Sequence, residues 1–557
     1  MKKYLFLAVA LLGMASCAKD DIANGNNPIH SGEIEESYIA INLSASDITR
    51  AQTGFEDGTA EERAVHHADF FFFDEAGNPF NVTGNPATTS GGATNHLHAA
   101  DITFATDEDG GDDISDSSAA VLLLQTYKGE YPSQIVAVLN WSPDTKPYTL
   151  DELHAAVNLT GKWDTEDYFV MSNAVYAQNG KAVYATPLSY DNIKSSEKDA
   201  ENNPVSIYVE RVAAKVKLET SAKYDLQEEV MYHPLGGTTT IEGGVFAKII
   251  SWDLYRDNTQ SQLLKVIDET WTDDSLGFPW NNAPWYRSYW AESLSAPTDD
   301  QIFGNSPFTP GTHTYIGENT TGKESCTKVV IKAQLVTTVG EEDKPLELAI
   351  WNNVEYVDEV ADEESKGGES LRIAVANTLK NTYFANTKDG YVGLMPEDLK
   401  CVAGGGEGAP EGVKANEVYF QLSETGEAKD WYKLVNGEYK PVADDITKDA
   451  NSKAATNNAL KSVPAAVLYK SGETFYYVDI KHLGAAGKPA EYGIVRNHVY
   501  NVKINTIKGY GSPVYTGVSY LEYPQITEQS TFVSAQINIL SWRLVNQEVD
   551  IETNPSN

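Results

Sequence analysis

The C-terminal stretch Thr531–Ile551 constrains the fold most, because its apolar and polar residues alternate. The apolar positions of its first half are Val533, Ala535, Ile537 and Ile539. This period of two is typical of a β-strand that buries one face. After Ser541 the apolar phase moves to Trp542 and Leu544, which predicts a bulge or bend within the segment. The tail is therefore predicted to be a long strand, and a last strand normally completes the sheet of its own domain.

A second segment with the same alternation lies near the N-terminus, at Ser37–Ser44. Its apolar face consists of Ile39, Ile41 and Leu43. Their spacing matches that of the apolar positions in the tail, so the two strands would present similar side chains to a groove in a sheet. We therefore predict that a displaceable N-terminal strand and a C-terminal donor strand compete for one position.

The first 16 residues have the pattern of a signal peptide. Lys2 and Lys3 precede an apolar run, Tyr4–Leu12, that is too short for a permanent membrane helix. Met14–Cys17 reads MASC and resembles a bacterial lipobox, which predicts that Cys17 is lipidated and becomes the mature N-terminus. An ordinary signal cleavage site is the alternative.

Arg50 follows the N-terminal strand and is the first arginine of the chain. It lies in a stretch of small, turn-forming residues, 44–54, of the kind that proteases enter. A cut between Arg50 and Ala51 would release the preceding strand together with its lipid. A solvated arginine without a role is the alternative.

The charge of the chain argues against a nucleic-acid partner. There are 42 basic and 80 acidic residues, for a net charge of −38, whereas phosphate binding requires a basic surface. Copies of the chain would also repel one another at long range. Any assembly must therefore depend on backbone pairing and apolar burial.

The remainder of the chain predicts an all-β fold with few short helices. At 557 residues it is long enough for more than one domain. One helix is predicted at Thr149–Val157, where Thr149 and Glu152 form a capping pair. The predicted strands are Tyr38–Leu43, Ala68–Phe73, Ala119–Leu124, Ile135–Leu139, Tyr168–Met171, Ser206–Val209, Val245–Trp252, Lys328–Leu335, Glu347–Trp351, Thr474–Ile480 and His498–Ile504. Long polar insertions separate the later strands.

A domain boundary is predicted near Arg211, where two strand segments of opposite phase meet. The expected divisions are a signal peptide at 1–16, a lipidated propeptide with the displaceable strand at 17–50, an N-terminal β-sandwich at 51–210, a C-terminal β-sandwich at 211–530 and the donor segment at 531–557.

Motifs for catalysis, metals and cofactors are missing from the sequence. It contains no nucleophile elbow or phosphate loop, and the histidines show no zinc-ligand spacing. The histidines considered are His66, His67, His96, His98, His482 and His498. We therefore expect no enzyme activity, no metal and no cofactor. The acidic segment Asp107–Asp116 is expected to be a solvated loop because it does not follow the EF-hand pattern.

Two further groups leave alternatives open. Cys326 and Cys401 could form a disulfide or remain buried thiols. An aromatic block could pack a loop over a sandwich or form a platform for sugars, and packing is favoured. Its members are Trp271, Phe278, Trp280, Trp285, Tyr286, Tyr289 and Trp290, with Arg287 among them.

Several segments, taken together and in order, resemble the fimbrillins of type V pili. Each segment is short, but together they are distributed over nearly the whole precursor. In chain order they are the lipobox, the N-terminal strand with Arg50-Ala51, Phe55–Glu62, the phenylalanine run at Ala68–Phe73, Tyr168–Asn173, Val209–Val216, Arg287–Ala291, Tyr315–Thr320, Tyr492–Tyr500 and the final strand.

The resemblance implies a lipoprotein precursor with two transthyretin-like β-sandwich domains, carried to the outer membrane and cut after an arginine by a trypsin-like protease. The matching bond here is Arg50-Ala51. Removal of the N-terminal strand would open a groove for the C-terminal strand of another copy, and repetition would build a homopolymer. Accessory and anchor fimbrillins are further implied partners.

Two other functions stay open at this level. One is a tip or accessory fimbrillin that caps the filament and contacts a ligand. The other is a surface lipoprotein that binds glycans and does not polymerise.

Overall fold

A computed structural model of the chain describes most of its residues. The described residues are 5–7, 34–44, 55–56, 58–59, 62, 65–82, 94–100, 118–127, 129–154, 156–158, 169–202, 204–226, 230–233, 237–240, 244–268, 278–280, 282–294, 308–357, 368–442, 452–483, 491–514 and 542–552.

Strands dominate the described residues, which confirms the all-β prediction. In the first part of the chain the strands are β1 (Leu5–Leu7), β2 (Ile34–Ser44), β3 (Phe55–Glu56), β4 (His67–Phe73), β5 (His96–Ala100), β6 (Ser118–Tyr127), β7 (Gln134–Leu139), β8 (Ala156–Asn158), β9 (Met171–Asn173), β10 (Tyr176–Gln178), β11 (Lys181–Val183), β12 (Thr186–Pro187), β13 (Val205–Arg211), β14 (Ala214–Glu219), β15 (Lys223–Asp225), β16 (Val230–His233), β17 (Gly237–Thr240) and β18 (Phe246–Tyr255).

The later strands are β19 (Gln260–Gln262), β20 (His313–Ile316), β21 (Lys328–Val339), β22 (Glu342–Pro345), β23 (Leu348–Trp351), β24 (Val354–Val357), β25 (Phe384–Thr387), β26 (Gly390–Gly393), β27 (Leu399–Ala403), β28 (Glu417–Leu422), β29 (Trp431–Val435), β30 (Glu438–Pro441), β31 (Ala466–Tyr469), β32 (Glu473–Asp479), β33 (His498–Lys508), β34 (Ser512–Pro513) and β35 (Trp542–Glu552).

Helices are short. The α-helices are α1 (Glu197–Glu201), α2 (Glu369–Leu379), α3 (Glu424–Glu427) and α4 (Ser452–Leu460). Single 3₁₀ turns occur at Asp151–His154, Tyr190–Asn192, Ala283–Ser288, Lys323–Ser325, Pro396–Asp398 and Lys470–Gly472. Among the described residues, none of the helices has both the length and the apolarity that a membrane crossing requires.

The first part of the chain forms a nine-stranded sheet, which we call the N-terminal sheet. Its strand order is β1-β6-β2-β13-β9-β7-β4-β5, and β12 pairs with β7. The phenylalanine run in β4 is buried throughout because alternate side chains enter cores on opposite faces of the sheet. Phe70 and Phe72 pack in one core, and Phe71 and Phe73 pack in the other.

The chain after Arg211 forms several sheets, two of which also include a strand from earlier in the chain. A five-stranded sheet has the order β20-β14-β33-β35-β3, and a second sheet has the order β15-β18-β21-β32-β34 with β22 beside β21. These two sheets enclose one core, to which Trp252, Ile331, Tyr476 and Tyr500 contribute fully buried side chains. β13 ends at Arg211 and β14 begins at Ala214, so the predicted change of strand phase marks the passage between sheets.

Residues 349–468 contain a further core that the sequence did not indicate. Its members include Leu371 from α2, Phe420 from β28 and Leu460 from α4. A four-stranded sheet, β26-β25-β29-β30, lies within this range, and a seven-stranded sheet, β17-β16-β24-β23-β31-β28-β27, also includes strands from earlier in the chain. The described residues of the stretch predicted as polar insertions are therefore folded.

The helix predicted at Thr149–Val157 is wrong. The capping pair is present, with the Thr149 N–H donating to Glu152 Oε2 at 2.8 Å, but only one 3₁₀ turn follows. The N–H of Leu264 donates to the carbonyl of Leu153 at 3.0 Å, and Ala156–Asn158 pairs with β19. Pairing with a segment that is distant in sequence therefore replaces the helix.

Candidate strand-exchange site

β2 lies within the N-terminal sheet, between β6 and β13. It pairs antiparallel with β6 from Ile34↔Tyr127 to Leu43↔Ser118, and parallel with β13 from Val205↔Ile41 to Tyr208↔Ser44. Among the described strands, β6 pairs only with β1 and β2. Removal of β2 would therefore separate β6 from β13 and leave both strands with unpaired backbone groups.

One face of β2 fits the core of the N-terminal sheet. Ile39 is 0% exposed and lies opposite Leu122, which is 1% exposed. Ser37 is buried opposite Leu124. The register partners of Ile41 and Leu43 on β13 are the buried residues Val205 and Ile207. The residues that pair with the predicted positions of the displaced strand therefore belong to the apolar core.

The second half of the tail pairs with the C-terminal part of the molecule. β35, which contains Trp542 and Leu544, lies between β33 and β3 and runs parallel to β33. Its residue Ile551 is 1% exposed and belongs to the core that contains Trp252 and Tyr500. The other predicted donor residues and the predicted processing residues lie outside the described residues; they are Val533, Ala535, Ile537, Ile539, Cys17, Arg50 and Ala51.

The ladder between β33 and β35 contains an irregularity. Ile504 pairs with Val549 and Thr506 pairs with Asp550, so Asn505 is the extra residue. The sequence predicted a bulge within the tail near Ser541. The extra residue observed here belongs to the partner strand β33, and the stretch up to Ser541 lies outside the described residues.

The segment that follows Arg50 in sequence is held by a buried carboxylate. Glu62 is 1% exposed and forms an ion pair with Lys215, and the Tyr315 hydroxyl also donates to it. Burial alone would raise the pKa of Glu62, but the hydrogen bonds from Lys215 and Tyr315 and the charge of Lys215 lower it to about 2. Arg211 Nε donates to the Glu62 carbonyl at 2.6 Å. Glu62 is therefore ionised at neutral pH and fixes this segment to β14 and β20.

Two further buried ion pairs lie nearby, and one of them connects the N-terminal sheet with the later part of the chain. Glu210 on β13 lies 3.0 Å from the Lys265 ammonium, and both side chains are almost fully buried. Burial raises the pKa of Glu210 and lowers that of Lys265, and their mutual attraction opposes both shifts. Arg496 donates to Glu318 at 2.8 Å and to the Gln262 carbonyl at 2.6 Å.

These contacts give a structural role to three of the segments that carry the family resemblance. Val209–Val216 supplies Glu210, Tyr315–Thr320 supplies Glu318 and Tyr492–Tyr500 supplies Arg496. Gly317 is required by packing, because a Cβ there would lie 2.4 Å from the Gln260 carbonyl oxygen. The short segments are thus parts of one buried polar network at the junction of the sheets.

The aromatic block packs at the same junction. Trp280, Tyr289 and Trp290 are buried together with Val175 and Val495. At the edge of this core, Tyr286 stacks on Tyr176 with ring centroids 3.9 Å apart, and Phe278 stacks on Trp285 at 4.5 Å. This packing supports the structural interpretation over a sugar platform. Trp271 lies outside the described residues, as does the acidic segment Asp107–Asp116.

Two cysteines and two histidines are the remaining residues that the sequence singled out. Cys326 and Cys401 do not form a disulfide, and burial raises the pKa of Cys326 to about 12. His482 and His498 are buried core residues; His482 lies 2.7 Å from the Tyr500 hydroxyl.

One histidine cluster was missed by sequence reasoning. His67, Asp69 and His98 each place a potential metal-ligating atom within 4.8 Å of the others. Burial lowers the pKa of His67 and raises that of Asp69. The cluster forms because β4 and β5 pair, and the sequence gives no direct signal for that register.

Comparison with known proteins supports the resemblance found in the sequence. The family described as "Major fimbrial subunit protein type IV, Fimbrillin, C-terminal" matches residues 467–548, which include β31–β34 and much of β35. No sequence of a curated protein matches the chain.

Solved structures with partial similarity come from Parabacteroides distasonis and Porphyromonas gingivalis. A candidate cell adhesion protein from Parabacteroides distasonis is 16% identical, with 55% of this chain and 77% of that chain covered and a TM-score of 0.30. The tip fimbrial protein Mfa3 from Porphyromonas gingivalis, with a C-terminal truncation, is 12% identical, with coverages of 56% and 81% and a TM-score of 0.26. A fimbrial assembly protein from P. distasonis is 13% identical, with coverages of 59% and 87% and a TM-score of 0.23.

Proposed function

We propose that this chain is a structural pilin, the polymerising stalk subunit of a type V fimbria, because its residues 467–548 match the fimbrillin C-terminal family. The observation that carries this proposal is the position of β2. It is an inner strand of the N-terminal sheet, and it ends six residues before Arg50.

Assembly proceeds in three steps in this proposal. The precursor is lipidated at Cys17, exported as a lipoprotein and carried to the outer membrane. A trypsin-like protease cuts at Arg50-Ala51, and β2 leaves with the lipid. The tail of another copy then enters between β6 and β13 and restores the two hydrogen-bond ladders. The stalk contacts accessory and anchor fimbrillins at its ends and supports adhesion.

Apolar burial supplies a large part of the driving force. Full burial of an isoleucine contributes about 1.5–3 kcal/mol, and each ladder hydrogen bond contributes about 1 kcal/mol. The net charge of −38 opposes association at long range, so we attribute the stability of the polymer to the groove. Cleavage makes the exchange one-way once the released peptide diffuses away.

The donor role of the tail is tested by a matched pair of substitutions. Ile537→Asp places a charge at an apolar position of the alternating pattern, whereas Asn538→Asp adds the same charge at the adjacent polar position. After low-dose trypsin treatment of the precursor, we expect heat-sensitive ladders on gels and filaments in negative stain from N538D and wild type. I537D should be cut normally and remain monomeric.

Normal filaments from I537D would contradict the donor assignment. The processing step is tested in the same way with Arg50→Ala, which should retain its N-terminal strand, and with Arg63→Ala as its control. Filaments from R50A that retain residues 17–50 would show that the wrong bond has been assigned.

A tip or accessory subunit is the second candidate function. It is favoured by the pairing of β35 with β33 of its own chain, which anchors the second half of the tail. In that case the cut wild-type protein would stay monomeric and would add only to the ends of preformed filaments.

A further inference from the structure

The paired strands β4 and β5 bring two imidazoles and a carboxylate to one place on the N-terminal sheet. Asp69 and His98 are directly opposite each other in the antiparallel register, and His67 is two residues from Asp69 on the same face. His98 Nδ1 lies 3.1 Å from Asp69 Oδ2, and His67 Nδ1 lies 3.8 Å from the same oxygen. The three groups thus converge without any change of backbone.

These distances suit a small divalent ion. Zinc binds histidine nitrogen and carboxylate oxygen at about 2.0–2.2 Å, so two ligands in tetrahedral geometry lie about 3.3 Å apart. The observed separations of 3.1 and 3.8 Å bracket that value. Small side-chain rotations would therefore complete three corners of a tetrahedron.

Unsatisfied polar atoms give an independent reason to expect a ligand. Asp69 is 0% exposed, and its Oδ1 is buried without a hydrogen-bond partner. Nδ1 of His67 is buried and lacks a hydrogen-bond partner as well. Buried polar atoms normally have partners, and a buried carboxylate is costly unless a cation or hydrogen bonds compensate it. A metal ion would satisfy both atoms.

We propose that His67, Asp69 and His98 form a binding site for one divalent transition-metal ion of the zinc class. Two imidazoles and one carboxylate favour such an ion over calcium or magnesium, which prefer oxygen ligands. The side chain of His98 is 54% exposed, which leaves the fourth coordination position open to water. The ion joins β4 to β5, the last strand at this end of the N-terminal sheet.

Metal titration of the untagged full-length precursor, stripped with EDTA, tests this site. Calorimetry with Zn²⁺ should give one tight site per chain, and Co²⁺ should give the visible absorption of a tetrahedral complex. Asp69→Asn and His98→Gln should each weaken binding by at least about tenfold, the lower limit of the loss that even outer-shell changes cause. His66→Gln is the matched control, because it removes a neighbouring exposed histidine that is not in the cluster.

Circular dichroism of the stripped proteins checks that the variants fold. The proposal is overturned if folded wild type binds no Zn²⁺ or Co²⁺, if H66Q loses as much affinity as H98Q, or if D69N binds as tightly as wild type. A thermal midpoint that rises with Zn²⁺ in wild type and H66Q, and stays constant in D69N and H98Q, would support it.

Discussion

Glu62 gives the precursor a defined acid sensitivity. Its pKa is lowered from 4.5 to about 2 in the folded protein. The stabilisation is therefore complete above the unfolded-state pKa and is lost as pH falls from about 5 to 2. We expect wild type to lose about 3 kcal/mol more unfolding free energy than Glu62→Gln over this range.

Urea unfolding at pH 6, 4 and 2, followed by circular dichroism, measures this difference. The glutamine retains a similar shape but cannot form the ion pair with Lys215. Because the two proteins differ only at this group, the other carboxylates contribute equally to the pH dependence of their unfolding free energies. Parallel loss of stability in the two proteins would contradict the assigned pKa.

At the scale of one element, the key position of β2 is Ile39. Ile39→Ala removes buried apolar volume and should destabilise the region by about 2–5 kcal/mol, whereas Ile39→Val should cost about 0.5–1.5 kcal/mol. Because β2 joins β6 to β13, we expect faster hydrogen exchange in both neighbours and none of this effect in β33. Hydrogen-exchange mass spectrometry of the uncut precursor makes the comparison.

Equal protection of β6 and β13 in wild type and the alanine variant would show that β2 contributes little to the sheet. A uniform increase across the molecule, including β33, would instead mean that the substitution acts on global stability.

Sequence patterns predicted individual strands better than their partners. The phenylalanine run fixed β4, and alternation fixed β2, since both are local consequences of burial. The pairing of Asp69 with His98 depends on register between strands and has no local signal. The helix at Thr149–Val157 failed for the same reason, because the distant β19 pairs with its second half.

For the whole molecule, the buried pair Glu210–Lys265 is a joint between the N-terminal sheet and residues that follow Arg211. Glu210→Gln leaves an ammonium buried without its countercharge, which costs about 3–5 kcal/mol. Urea unfolding should show this loss, and the double variant Glu210→Gln/Lys265→Met should recover part of it. The exposed pair Glu438–Lys440 is the control, and Glu438→Gln should change stability by less than about 1 kcal/mol.

If Glu210→Gln unfolds like wild type, the joint does not depend on this charge pair. If the double variant is no more stable than the single one, the loss comes from the missing carboxylate and not from the isolated ammonium.

The parallel and antiparallel neighbours of β2 fix the direction in which a replacement strand can enter. One neighbour runs against it and the other runs with it, so a replacement peptide satisfies both only when it is threaded in a single sense. Reversal would exchange the two bonding patterns and lose the match on each side. A fibre built by such threading has two unlike ends, and every subunit in it points the same way.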